Sequence, residues 1–152
     1  MKPLAWVCWL ASIASVWSAS AATMGSPPRE AALAAYNQGN FMDAYEDYRR
    51  LTLDRQADPT LVGADLNMAV LCLQRLGRVQ DIDGLLEDAV RAHQGNWRLL
   101  SNAAQNYARI PHQGLIVAGE FRRGDHRGDG KVVSAVDRDR ARALQLMVQA
   151  MP

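Results

Sequence analysis

Hydrophobic positions recur along this chain at intervals of three and four residues, the spacing of helices that bury one face. Phe41, Ala44, Tyr45, Tyr48 and Leu51 follow it, with Asp43, Glu46, Asp47, Arg49 and Arg50 opposite, and predict a helix from Phe41 to Leu53. An alanine-rich stretch precedes it, Glu30 to Gln38, with Leu33 and Tyr36 on one side, and Gly39-Asn40 divides the two. Asp58-Pro59 marks the stop. Leu61 to Leu76 then carries Leu66, Ala69, Val70 and Leu73 on one stripe, Gly77-Arg78 turns the chain, and Val79 to His93 presents Val79, Ile82, Leu85, Leu86, Ala89 and Val90. Trp97, Leu100, Ala103, Ala104, Tyr107 and Ala108 predict one more helix, reaching Pro111.

The pattern occurs twice. Gly39, Phe41, Ala44, Tyr48 and Leu51 stand at the same relative offsets as Gly77, Val79, Ile82, Leu86 and Ala89, a shift of 38 residues. Helical hairpins give a physical reason for it. A small residue shortly after the turn, Ala44 or less well Ile82, lets the two backbones approach. A large apolar residue beside the turn glycine, Phe41 or Val79, covers the open end. Tyr48 is left to pack against the next hairpin. One hairpin cannot cover its own apolar face, so neighbours must stack.

Beyond Pro111 the repetition stops. Leu115-Ile116-Val117 is equally consistent with a buried helical turn and a strand, which periodicity does not separate. Gly119 to Lys131 holds four glycines and reads as a flexible, loosely ordered loop. Ser134 to Met151 returns to helix, with Ser134 as N-cap, Asp137 three residues later, and Leu144, Met147, Val148 and Met151 as its apolar stripe. The expected fold is all-α: tandem helix-turn-helix hairpins over 29–110, a loop segment over 111–133 and a closing amphipathic helix over 134–152.

The first residues follow a different logic. Met1-Lys2 gives a positive start, Leu4 to Trp17 is an uncharged, mostly apolar run of 14 residues, and Ala19-Ser20-Ala21 is a small-residue cleavage site. That order is a secretory signal peptide over 1–21, too short in its apolar run for a spanning helix, followed by a lead-in over 22–28. Cys8 follows Trp6-Val7, which is not the setting of a lipid-acceptor cysteine. Cleavage after Ala21 would remove Lys2 and Cys8 and leave 16 basic against 16 acidic residues, a balance that gives no footprint for nucleic acid and leaves no membrane span. The remaining cysteine, Cys72, lies in an apolar stretch as a buried small residue and cannot form an internal disulfide.

The segment Ala35-Tyr36-Asn37-Gln38-Gly39-Asn40-Phe41-Met42-Asp43-Ala44 with Tyr48 resembles a tetratricopeptide repeat; the second unit matches less well through Ile82, and the third retains only its first helix. The family's proline is not at its place in either unit, since Pro59 comes late and Gln94 stands there in the second. The resemblance covers about residues 25 to 110 and implies an interaction scaffold. More weakly, Asn96-Trp97-Arg98-Leu99-Leu100, Ile116 to Gly124, His126-Arg127-Gly128 and Arg138 to Met147 resemble the opening region of large exported bacterial alpha-2-macroglobulin-like proteins. That likeness implies a leading module of a protease trap. The thioester chemistry of that family is not implied, because Cys72 is followed by Leu73-Gln74-Arg75.

Candidate chemistry is sparse. Arg123-Gly124-Asp125 and Arg127-Gly128-Asp129 spell a tripeptide that some adhesion receptors bind, as a loop of this composition does by chance. Arg122, Arg123, Arg127 and Lys131 could meet a phosphate or an acidic partner beside glycine N–H groups, with Asp125 and Asp129 partly offsetting them. Asp125, His126 and Asp129 lack the spacing of a calcium loop, and His93, His112 and His126 are scattered. Ser101 and Ser134 lack a nucleophile turn, and Glu46, Asp47, Asp81, Asp83, Glu87 and Asp88 fall on predicted solvated helix faces. No catalytic set, metal site or cofactor is expected; an enzyme using Arg122, Arg123 and His126 is the remote alternative. The reading is an exported, non-enzymatic protein-interaction module, periplasmic, cell-envelope or secreted, without a specified oligomeric state. It would dock a protein partner, or the remainder of a larger polypeptide, through Tyr36, Asn37, Asn67, Leu71 and Asn102, with Arg122, Arg123 and Arg127 as a second contact.

Overall fold

A computed structural model of the chain describes residues 27–125 and 130–151. The expected leader and most of the lead-in, and His126, Arg127 and Asp129, lie outside the described residues. Helices make up 65% of what is described, six of them α-helical, with one small antiparallel sheet. No helix among the described residues is long and apolar enough to cross a membrane.

Helix α1 (Pro27–Asn37) turns at Gly39 into α2 (Phe41–Leu53), and α3 (Val62–Arg75) turns at Gly77 into a short 3-10 turn (Val79–Asp81) and α4 (Ile82–Ala92). Both turns close in the same way. The N–H of Asn40 donates to the Ala35 carbonyl and that of Gly39 to Tyr36; 38 residues on, Arg78 donates to Leu73 and Gly77 to Gln74. Each is a Schellman closure, and each needs a left-handed residue at its glycine, φ 85° at Gly39 and 69° at Gly77. Phe41 meets Tyr36 edge to face, with ring centroids 5.3 Å apart, and so caps the first turn. Ala44 is fully buried, and α2 runs close to α1 over more of its length than α4 does to α3, where Ile82 takes the alanine's place.

Helix α5 (Trp97–Arg109) lies beside α3. Asn96 caps it, its side-chain oxygen accepting from the N–H groups of Arg98 and Leu99. The segment after it corrects the expectation of a loop. Strands β1 (Gln113–Val117), β2 (Glu120–Arg123) and β3 (Lys131–Ser134) form a sheet in the order β2-β1-β3. Ala118 and Gly119, at φ 51° and 86°, join β1 to β2 in a two-residue turn of type I′, which fits the strand twist but strains the alanine.

Helix α6 (Val136–Gln149) packs along α5. It begins after Ala135, so Ser134 ends β3 and is not the N-cap. Its apolar stripe is not taken into the core. Leu144, Met147, Val148 and Met151 are exposed, and the buried side holds Leu146 and Asp139. One core runs through the helices, built from Leu66, Leu73, Ile82, Leu86, Leu99, Leu100 and Leu146 with Ala44, Ala69, Ala89 and Ala103 at the close approaches.

Candidate functional site

The residues of α3 and α5 that escape the core lie in matching stripes. Ala64, Asn67, Met68, Leu71 and Gln74 lie within one stripe along α3, and Arg98, Asn102, Gln105 and Arg109 follow one another by three or four along α5. The two stripes are joined by amides. The Asn67 side-chain N–H donates to Asn102 Oδ1 at 2.7 Å, and Asn106 donates to Asn67 Oδ1 at 2.7 Å and to the Asn102 carbonyl at 2.9 Å. Asn102 in turn donates to the Arg98 carbonyl at 2.9 Å. The sequence reading placed Asn67 and Asn102 together and missed Asn106, one helical turn after Asn102 on the same face.

Two depressions flank α3. The one between α3 and α5 has a volume of about 270 Å³ and is lined by Asn67, Val70, Leu71, Gln74, Asn106 and Arg109, among others. Leu71 stands 42% exposed at its wall. The other, about 240 Å³ between α1 and α3, is lined by Leu33, Tyr48, Leu61, Ala64 and Met68, with Arg29 and Asp65. Arg29 engages both oxygens of the buried Asp65, Nε to Oδ1 at 3.0 Å and Nη2 to Oδ2 at 2.7 Å, and so ties α1 to α3. Asn37 is exposed at the end of α1, whereas Tyr36 is half-buried against Phe41 and serves the turn.

Charge is unevenly spread. Helix α5 carries Arg98 and Arg109 and no acid; the single acid of α3, Asp65, is held by Arg29. Arg75, Arg98 and Arg109 enter none of the ion pairs found among the described residues. Arg98 stacks over the Trp97 ring at 4.5 Å. The acids concentrate on α2 and on the 79–88 segment.

The second expected contact is corrected. Arg123 is fully buried. Its guanidinium donates to Asp139 at 2.8 and 2.9 Å, to Asp83 at 2.7 Å and to the Pro111 carbonyl. It cannot meet a partner, nor can the Arg123-Gly124-Asp125 tripeptide be presented. Arg122, its neighbour on the other face of β2, is exposed, and Arg127 lies outside the described residues. Arg138 closes the cluster on Asp83 and Asp139 and covers the Phe121 ring at 4.2 Å; His112 Nδ1 lies 2.8 Å from Asp139. Burial raises the Asp139 pKa, but hydrogen bonds from Arg123, His112 and Arg138 outweigh it and hold the carboxyl down at about 2. Asp83 and Glu87 are part-buried and paired, not free on an exposed face: Glu87 is paired with Arg142 at 2.7 Å and accepts from the Tyr107 hydroxyl at 2.8 Å. Helical spacing signals none of this, because the partners of Asp83 and Glu87 lie 20 to 55 residues away.

Burial pushes the Cys72 thiol up, away from the reactive thiolate. Among the described residues no group of three or more His, Cys, Asp or Glu side chains is placed to hold a metal ion. No family model matches the chain, and neither a curated protein nor a solved structure matches it significantly.

Proposed function

We propose that the chain is an exported, non-enzymatic protein-interaction module of tetratricopeptide-like hairpins, with the α3–α5 face as the docking surface. The observation that carries this reading is the face itself: an exposed leucine, two flanking depressions and a chain of hydrogen-bonded asparagines, with the polar clusters elsewhere spent on internal pairing. The identical closure of the Gly39 and Gly77 turns supports the repeat reading, and the apolar run before Ser18 supports export. A photo-crosslinking side chain at Leu71 or Asn102, with Glu46 on the outer helix as control, tests it. A defined protein adduct from the first two positions and not from the third is expected; equal or absent adducts at all three refute it.

The exposed stripe of α6 favours a second reading, in which the module leads a larger macroglobulin-like protease trap whose next segment covers Leu144, Met147, Val148 and Met151. An open reading frame with β-rich domains directly after codon 152 is the result this reading requires; a stop codon there rules it out.

A further inference from the structure

The docking face carries a surplus of positive charge that internal pairing does not use. Arg75, Arg98 and Arg109 border it, and Glu30 on α1 is the one acid along α1, α3 and α5 outside an ion pair among the described residues. Two of the three arginines have a partial local role. Arg75 and Arg109 sit in the last turns of α3 and α5, where each helix end carries about half a negative charge. That offsets about one of their two charges and leaves the remainder. Arg98 stacks over the Trp97 ring but has no charge partner among the described residues, since it stands in the first turn of α5, where the helix dipole disfavours a cation and no acid is present. Asp58 acts on it only from a distance, and Asp58 is itself bonded by Thr60.

The same face offers apolar contact at Leu33, Met68 and Leu71, and Arg109 and Leu71 line one depression together. An aliphatic side chain seated against Leu71 would therefore bring its neighbouring residues within reach of Arg109. On the outer helix α2, by contrast, Asp43 and Glu46 lie outside any ion pair among the described residues, with Arg49 beside them, while Asp81 and Asp88 are held by Arg78 and Arg91. An acidic segment is drawn to the α3–α5 face, and the outer helix offers it no comparable surplus of positive charge.

We infer that the partner segment is acidic, a stretch of Asp and Glu interspersed with aliphatic residues, held along the α3–α5 groove with its carboxylates on Arg75, Arg98 and Arg109 and an aliphatic anchor against Leu71. This rests on the docking face proposed above and names the chemistry that the face selects.

Fluorescence anisotropy on the purified full-length chain tests it with a labelled peptide of Asp-Leu-Glu-Ala repeats. A Lys-Leu-Lys-Ala peptide reverses the charge, and an Asp-Ser-Glu-Ala peptide removes the anchor. Only the first is expected to bind well, with affinity falling roughly tenfold between about 50 and 300 mM salt. Arg75→Glu with Arg109→Glu should lower its affinity at least about tenfold, and Arg75→Lys with Arg109→Lys should retain it. All four substitutions are on exposed side chains, and far-UV circular dichroism confirms that each variant is folded. Equal binding of the lysine peptide, an unchanged affinity in the glutamate variant, or no binding of the acidic peptide at about 1 mM overturns the inference. Crosslinking at Leu71 reads position and not charge. An adduct there with a neutral or basic segment would keep the docking face and reject the acidic partner.

Discussion

Arg123 Nη2 lies 2.9 Å from Asp139 Oδ1 with both side chains wholly buried, and this pair fastens β2 to α6 across 16 residues of sequence. The same guanidinium reaches Asp83 at the start of α4. The sheet, the closing helix and the second hairpin are thereby held at one point. Removing the cation would leave two carboxylates, one of them fully buried, without their main partner. Arg123→Met should destabilise the chain by about 3–5 kcal/mol. Urea unfolding followed by circular dichroism measures this; a loss under about 1 kcal/mol would show that the cluster does not clamp the fold.

Acid should loosen the same point. The Asp139 pKa is about 2 in the folded chain against an ordinary 3.8. A depressed folded value means that the stabilisation is complete above the unfolded pKa and is lost as pH falls through the folded one. Stability should therefore drop by about 2 kcal/mol between pH 4 and pH 2, beyond the losses from other carboxylates such as Glu87, whose pKa is lowered by Arg142 and Tyr107 against the opposing effect of burial. Asp139→Asn, less stable at neutral pH, should show a correspondingly shallower decline in an acid titration.

Gly124 follows Arg123 with φ 82°, and a Cβ built there would strike the Val79 side chain. Gly124→Ala meets both a backbone and a steric penalty and should cost about 2 kcal/mol or more. Val79→Ala in the same chain should recover the steric part only. A double-mutant cycle on thermal melts separates the two, and simple additivity would place the strain in the backbone alone.

Ala118 holds the first position of the β1–β2 turn at φ 51°. Asn or Gly tolerates that conformation better, so Ala118→Asn or Ala118→Gly should stabilise the protein by about 0.5–1 kcal/mol. A fall in melting temperature would count against the type I′ turn.

The two sides of α6 should respond oppositely to their composition. Leu144→Gln and Val148→Gln, on exposed positions, should each shift stability by less than about 0.5 kcal/mol. Leu146→Ala, fully buried, should cost about 2–5 kcal/mol. A large loss from Leu144→Gln in the isolated chain would mean that the stripe is already covered.

The helices from α1 to α5 were legible because their buried positions recur every three or four residues and because Gly39 and Gly77 punctuate them locally. The face bearing Asn67, Leu71 and Asn102 followed from the same periodicity, since what the core does not take is left outside. Of the strands only β1 was in view, as one of two readings of Leu115-Ile116-Val117; the sheet was not legible, because its pairing is between Leu115, Arg122 and Val132 and the joining Ala118-Gly119 lacks the asparagine that advertises such a turn. The apolar stripe of α6 was legible, but what holds its other side was not. An apolar stripe points inward when burial of carbon decides, but here two ion pairs, Asp139 with Arg123 and Arg142 with Glu87, help turn the helix so that its polar side is held and Leu144 faces out. Local sequence settled which segments are helical and where the repeat turns, because those forces act within a few residues. Only the tertiary structure decided that Arg123 is a buried clamp and not a surface contact, because that depends on carboxylates brought to it from two distant helices.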